Sequence, residues 1–170
     1  LGLRAPDHQE LRPFRFVRVS DAGRDRLAAL FAADAARRGH SAAEIERARE
    51  RAYNGPALVA VVARVQEDVD DVPAHEQWIT VGGAVMNFLN ALHLMGYGAK
   101  VLSGASVRSP DIASEFCQAG EQLVAWIVAG TPTRASPAGP ATPPPWAREA
   151  PSPTRRSTWT VRSTCRSRAA

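Results

Sequence analysis

The stretch from Glu76 to Gly104, EQWITVGGAVMNFLNALHLMGYGAKVLSG, limits the fold more than any other part of this 170-residue chain. It reads as one long helix followed at once by a strand. Apolar or small residues run almost unbroken from Trp78 to Met95. At about 100° per residue, Thr80, Gly83, Asn87 and Asn90 fall within roughly 80° of one another, which leaves three apolar sides and one narrow polar-and-small stripe. Such a helix in a water-soluble chain has to be covered by layers on several sides or by a partner subunit. About 20 apolar residues would also cross a bilayer. Here two Asn, a Thr, a His and the Gly82-Gly83 pair interrupt the run, and no basic flank or aromatic belt frames it. The expectation is a buried core or dimer helix, with no membrane partner. Gly96-Tyr97-Gly98 gives a glycine stop, and Ala99 to Leu102 resumes as a short strand ending in Ser103-Gly104. A ligand is expected at that strand end.

The rest of the chain supplies the layers. Pro6 must break any helix that ends at Leu1 to Leu3. Arg4, His8 and Arg12 then fall within nine residues of irregular chain, where anion-binding groups are well placed. Phe14 to Val19 is an aromatic and β-branched strand. Ser20 can cap a helix from Asp21 to about Arg38 with Leu27, Leu30, Phe31 and Ala35 on one face, stopped by Gly39. Ser41 and Glu44 form a capping box for a second, more polar helix to about Ala52. The charges on both outer faces read as solvated surface. Ala57 to Val65 is a continuous apolar run, hence a central strand buried on both faces. Ser109-Pro110-Asp111 opens a short helix to about Cys117, and Gln122 to Ala129 is a fourth strand. Four strands with one helix apolar all round predict an α+β layer fold.

Charge is unevenly distributed. Residues 131–170 hold eight of the thirteen prolines, seven of the twenty-one Lys+Arg and only one acid, Glu149. Residues 1–130 therefore carry fourteen bases against sixteen acids, so the basic character belongs to the tail and argues for no nucleic-acid-binding domain. From Thr131 no periodic pattern survives, and disorder is the expectation there. That Arg/Ser/Thr/Pro bias is also what a high-GC reading frame yields after a shift. Cys117 and Cys165 offer no CxxC pair, which fits a reducing, cytoplasmic setting. The chain opens on Leu1 without an initiator Met, and a preceding segment is expected.

Catalytic motifs are missing. There is no GxSxG, HExxH or P-loop, and Gly96-x-Gly98 follows a helix and precedes a strand, the wrong order for a dinucleotide fingerprint. His75, Glu76, Asp68, Asp70 and Asp71 lack a second ligand pair at metal spacing, so no metal is expected. No side chain reads as a nucleophile, so any catalysis would come from a bound cofactor that the protein positions.

Five segments in order then carry a resemblance. They are Arg4-Ala-Pro-Asp-His8 with Leu-Arg-Pro-Phe-Arg-Phe16 leading into a strand, Glu76-Gln77 heading a helix with Gly-Gly-Ala-Val-Met, Gly96-Tyr-Gly-Ala, Ser103-Gly104, and Gly130-Thr-Pro132. Together they resemble the nitroreductase-like FMN flavoproteins, in the small subgroup with an RAPDH loop, over residues 1 to about 133. The resemblance implies a central, mostly antiparallel sheet flanked by helices, with the long helix at the core or dimer interface. It implies a homodimer with two FMN sites at the subunit interface, reducing nitro compounds or quinones with NAD(P)H by a ping-pong hydride shuttle. Carried over by position, Arg4 and His8 match flavin-contacting residues. Val101, Leu102 and Ser103 match the flavin-contacting strand end before Gly104. Ala91, Leu92, His93, Leu94, Met95 and Gly96 match a segment associated with the nicotinamide cofactor. His93 taken alone reads as a packed or interface histidine.

Departures accompany the resemblance. The family's Arg-Arg-Ser type motif for the FMN phosphate does not occur in these residues, Val101 stands near where an aromatic is usual, with Lys100 an odd neighbour, and the tail does not match the family's C-terminal segment. The rival expectation is a flavin-free pseudoenzyme or inactive fragment that only dimerises.

Overall fold

The computed structural model describes residues 4–133. The helix end expected at Leu1 to Leu3 and the tail from residue 134 lie outside the described residues. The chain runs β1 (Phe14–Arg18), α1 (Asp21–Arg37), α2 (Ala42–Glu50), β2 (Ala57–Ala63), α3 (Ala74–Leu94), β3 (Gly98–Leu102), α4 (Pro110–Phe116) and β4 (Gln122–Gly130), with short 3-10 turns at His8–Glu10, Arg51–Tyr53 and Ala105–Arg108. The four strands form one sheet in the order β1-β2-β4-β3, every pair antiparallel. The expected α+β class and the antiparallel sheet are what the chain adopts.

Both faces of the sheet are covered, and the central strand shows why β2 is apolar throughout. Leu58, Ala60 and Val62 face α1 and α4 together with Leu27, Phe31 and Ile112. Val59 and Val61 face the other way, joining Ile127 beneath Phe16, Val85, Phe88 and Leu89. Each large side chain sealed in this way contributes about 1.5–3 kcal/mol. On β4 the alternation slips. Val61 pairs with Ala125 but Val62 pairs with Leu123, so Val124 is an extra residue in a bulge. Leu123 and Trp126, three apart, therefore share the α1 side.

Helix ends follow the local chemistry. Ser20 Oγ accepts from Gly23 N–H at 3.1 Å at the start of α1, and Gly39 takes φ +76° just beyond its end. Glu44 accepts from the Ser41 N–H at 2.8 Å and its hydroxyl at 2.7 Å. These contacts hold the Glu44 carboxyl below its usual range, the Ser41 hydroxyl first and the backbone second.

The spine helix is covered on one side. Gln77, Thr80, Val81 and Ala84 are buried, while Ile79 stays 69% exposed and Met86 54%. Being one stripe of a 3.6-residue period, Ile79, Gly82, Met86, Asn90 and His93 all point away from the sheet. Coverage on several sides, expected from composition, does not come from the layers of the described residues.

Candidate functional site

The polar stripe of α3 receives the N-terminal loop. Thr80 Oγ1 donates to the Pro6 carbonyl at 2.8 Å. At Gly83 a Cβ would lie 3.6 Å from Ala5 Cβ and 4.0 Å from Pro6 Cδ, so a small residue lets the loop approach. His8 Nδ1 lies 3.1 Å from Glu76 Oε2, with both groups about half exposed. Asp7 Oδ2 accepts from the Arg12 N–H at 2.7 Å. Gln9, Glu10 and Arg12 all hold positive φ, +60°, +54° and +48°. Three non-glycine residues in left-handed backbone within four positions store strain, a condition concentrated at ligand-binding segments.

The strand end lies against a different wall. Leu102 pairs with Trp126 and Val101 with Ile127, and directly paired residues share a face. Leu102 thus belongs to the α1 side and Val101 to the α3 side. Leu102, Ser103 and Gly104 line a cavity of about 460 Å³ bounded by α1, α2 and β4. Its volume is in the usual range for small-molecule and cofactor sites. A Cβ on Gly104 would meet no protein atom within 4 Å, which leaves the peptide there open to a ligand. Phe31 and Trp126 give the cavity aromatic walls.

The opposite wall is charged. Asp34, Arg38, His40, Glu44, Arg47 and Arg51 line it. Asp34 is paired with Arg38, and Glu44 stands 3.6 Å from His40. Arg47 Nε donates to the Ala43 carbonyl at 3.3 Å, and neither Arg47 nor Arg51 has a carboxylate partner among the described residues. The acids are thus matched and two cations are left over, so the cavity favours a ligand with negative charge. Trp126 lines this cavity, and its indole Nε1 is buried with no hydrogen-bond partner among the described residues.

This geometry qualifies one expectation and divides another. Most charges of α1 and α2 are exposed, as expected, with two exceptions. Arg24 is buried and donates to the Ala52 carbonyl at 2.9 Å, Asp34 is buried, and four further charged groups face the cavity. Sequence could not show this because charge on an amphipathic helix looks the same whether it faces water or a cleft. Of the residues expected at a flavin site, Leu102, Ser103 and Gly104 share the cavity. Arg4, His8 and Val101 do not line it. Ala91, Leu92, His93, Leu94, Met95 and Gly96 form the last turn and stop of α3, where the Tyr97 N–H donates to the Leu92 carbonyl at 2.9 Å, and they do not line it either. His93 is exposed in the single chain. Among the described residues no group of three or more His, Cys, Asp and Glu could hold a metal, and no helix is long and apolar enough to cross a membrane.

The described residues thus form an α+β fold with an antiparallel sheet, a long half-covered helix and an aromatic, cationic cleft at a strand end. Comparison with known proteins narrows this. The nitroreductase family model matches residues 1–131. The Escherichia coli (strain K12) protein named "Putative NAD(P)H nitroreductase YdjA" is 33% identical over 132 residues, 77% of this chain and 72% of that protein. A nitroreductase-like family protein of Bacillus cereus superposes with a TM-score of 0.66 at 21% identity, covering 84% of this chain and 75% of the other. The FMN-dependent nitroreductase NfnB of Mycobacterium smegmatis, solved in complex with NADPH, does so with a TM-score of 0.56 at 15% identity, covering 77% and 73%. The chain belongs to the nitroreductase family, a family of oxidoreductases.

Proposed function

We propose that this chain is an FMN-dependent oxidoreductase that reduces nitro compounds or quinones with NAD(P)H in a ping-pong cycle, acting as a cytoplasmic homodimer. The observation that carries the reading is the cavity joining Leu102, Ser103 and Gly104 to aromatic walls and two arginines without a carboxylate partner among the described residues. A flavin mononucleotide suits those walls, being a flat conjugated ring with carbonyl and nitrogen acceptors and an anionic phosphate. Bound FMN would supply the hydride chemistry that no side chain here offers. The residues supply the rest. Arg47 and Arg51 would offset negative charge with charge-assisted contacts. Ser103 and Gly104 would present backbone N–H groups, and α1 with α2 would exclude water from one side of the ring.

The homodimer reading rests on α3. Ile79 and Met86 leave an apolar stripe open to solvent, and a second copy of the same helix would cover it. Arg4 and His8 stand on the α3 side of the sheet and do not line their own chain's cavity. In a dimer through α3 they would stand at the subunit interface, on the opposite face of the sheet from that cavity. The turn at Ala91–Gly96 is the proposed approach for the nicotinamide cofactor. A half-buried free thiol at Cys117 is in keeping with a reducing compartment.

The test is a visible absorbance spectrum of the purified chain after FMN is added and the sample is passed down a desalting column. Retained flavin bands, followed by NAD(P)H oxidation on adding a nitroaromatic or a quinone, are the expected result. A colourless protein with no NAD(P)H oxidation refutes the reading for this chain.

A further inference from the structure

The loop from Arg4 to Arg12 has little backbone bonding of its own. The Glu10 N–H donates to the Asp7 carbonyl at 3.2 Å, and the Arg12 N–H to the Asp7 carboxylate at 2.7 Å. Gln9, Glu10 and Arg12 sit at positive φ, a backbone state that costs energy in a non-glycine residue and persists only where the surroundings impose it. Three hydrogen bonds tie the loop to those surroundings. Thr80 Oγ1 donates to the Pro6 carbonyl at 2.8 Å, Gln9 Nε2 donates to the Asp70 carbonyl at 3.1 Å, and His8 Nδ1 meets Glu76 Oε2 at 3.1 Å.

Of the three, the Thr80 bond is the one made by a buried side chain. Thr80 is 5% exposed, whereas His8 and Glu76 are about half exposed and the Gln9 contact lies at the surface. A bond shielded from water holds more firmly than one that water can replace. The same hydroxyl stands 3.2 Å from the Glu76 carbonyl, the ordinary partner of a threonine inside a helix. It has one proton, and the shorter contact directs it to the loop. Gly83 keeps the seat open beside it, since a Cβ there would already touch Ala5 and Pro6. The loop's acids are engaged, Asp7 by Arg12 and Glu76 by His8, while Arg4 has no carboxylate partner among the described residues.

We infer that Thr80 is a positioning residue: by holding the Pro6 carbonyl it keeps Arg4 and His8 on the α3 face, where they take the phosphate of a nucleotide cofactor. The phosphate is chemistry that FMN and NAD(P)H share. This rests on the proposed function above. Thr80 touches no ligand itself; without its tether, binding would first have to order the loop that carries Arg4 and His8.

The test compares Thr80→Val, which keeps the shape and loses the donor, with Thr80→Ser, which keeps the donor. FMN dissociation constants come from quenching of flavin fluorescence, and KM and kcat for NADPH from turnover at saturating quinone. Thr80→Val is expected to weaken one nucleotide by roughly 5- to 10-fold, the loss of one neutral hydrogen bond, and Thr80→Ser to bind within twofold of the unsubstituted chain. A raised FMN constant identifies the flavin phosphate; a raised NADPH KM with kcat and FMN binding unchanged identifies the dinucleotide. Gly83→Ile crowds the same seat and is expected to weaken the same nucleotide. Ile112→Val, in the core on the other face of the sheet, should melt lower and bind both nucleotides as before.

A Thr80→Val protein with both constants within twofold of the unsubstituted chain overturns the inference and leaves the flavin reading standing. So does an equal loss in Thr80→Ser, or in Ile112→Val at the same fall in melting temperature, because general loosening would then account for it. If Thr80→Val does not fold, Gly83→Ile decides, and unchanged affinity there overturns the inference. Failure of the unsubstituted chain to bind FMN overturns both.

Discussion

Replacing Glu121 with Gln tests how the two ends of the sheet's α1 face are tied together. Arg15 on β1 donates through Nε to Glu121 Oε1 at 2.8 Å, through Nη2 to Oε2, and also to the Phe116 carbonyl. The Gln118 N–H adds a bond to Glu121 at 2.7 Å. Strand β1, the end of α4 and the loop leading into β4 thus meet at one carboxylate whose side chain is only 8% exposed. Chiefly through the Arg15 hydrogen bonds, its pKa falls from an ordinary 4.5 to about 2. At about 1.36 kcal/mol per unit the ceiling is about 3 kcal/mol. Arg15 keeps 38% of its side chain exposed, so solvent screening lowers the expected cost of Glu121→Gln to about 1.5–2 kcal/mol at pH 7. Because the folded pKa is depressed, this stabilisation is fully present above the unfolded value near 4.5 and is lost as pH falls toward 2. The gap between unsubstituted and variant protein in urea unfolding should therefore be constant from pH 8 to 5.5 and narrow by roughly 0.5–1 kcal/mol by pH 3.5. A gap that stays the same down to pH 3.5 would refute the assignment of the stabilisation to ionised Glu121.

Further outcomes follow from single contacts. Gly83→Ala places a Cβ at ordinary contact distance from Ala5 and Pro6 and should stabilise α3 by about 0.5–1 kcal/mol. Gly83→Ile should push the Arg4 to Arg12 loop off the helix, seen as faster amide exchange there; unchanged protection in the isoleucine variant would contradict the packing. A Cβ at Gly130 would lie 2.5 Å from Pro56 Cγ, so Gly130→Ala should cost about 1–3 kcal/mol of stability by forcing the β4 end from the turn before β2. If α3 is the subunit interface, Met86→Lys should turn a dimer into a monomer by light scattering, since Met86 is 54% exposed in one chain; a variant still dimeric would place the interface elsewhere.

Much of the frame was legible in order along the chain. Ser20 and the Ser41–Glu44 box cap the helices they were expected to open, Pro110 begins α4, and β2 is buried on both faces as its unbroken apolar run requires. The stripe of Thr80 and Gly83 was visible as a pattern, and the fold shows its purpose in the Pro6 and Ala5 contacts. The end of β3 before Ser103-Gly104 was also readable, because the glycine stop of α3 and the short strand are local signals.

Capping, proline placement and hydrophobic period act over a few residues, and the sequence by itself determined them here, together with the α+β class and the strand end. Which groups meet across the sheet was left to the tertiary structure. The bulge at Val124 decided that Trp126 would join Leu123 on the α1 face rather than alternate to the other. Packing of α1 and α2 over the β3 and β4 ends decided that Arg38, Arg47 and Arg51 would face a cavity, and the sheet itself keeps the Arg4 and His8 loop on its opposite side. The physical reason is range: backbone propensity and side-chain periodicity are set by neighbours in sequence, whereas register, burial of charge and an orphaned donor exist only once strands distant in sequence are paired.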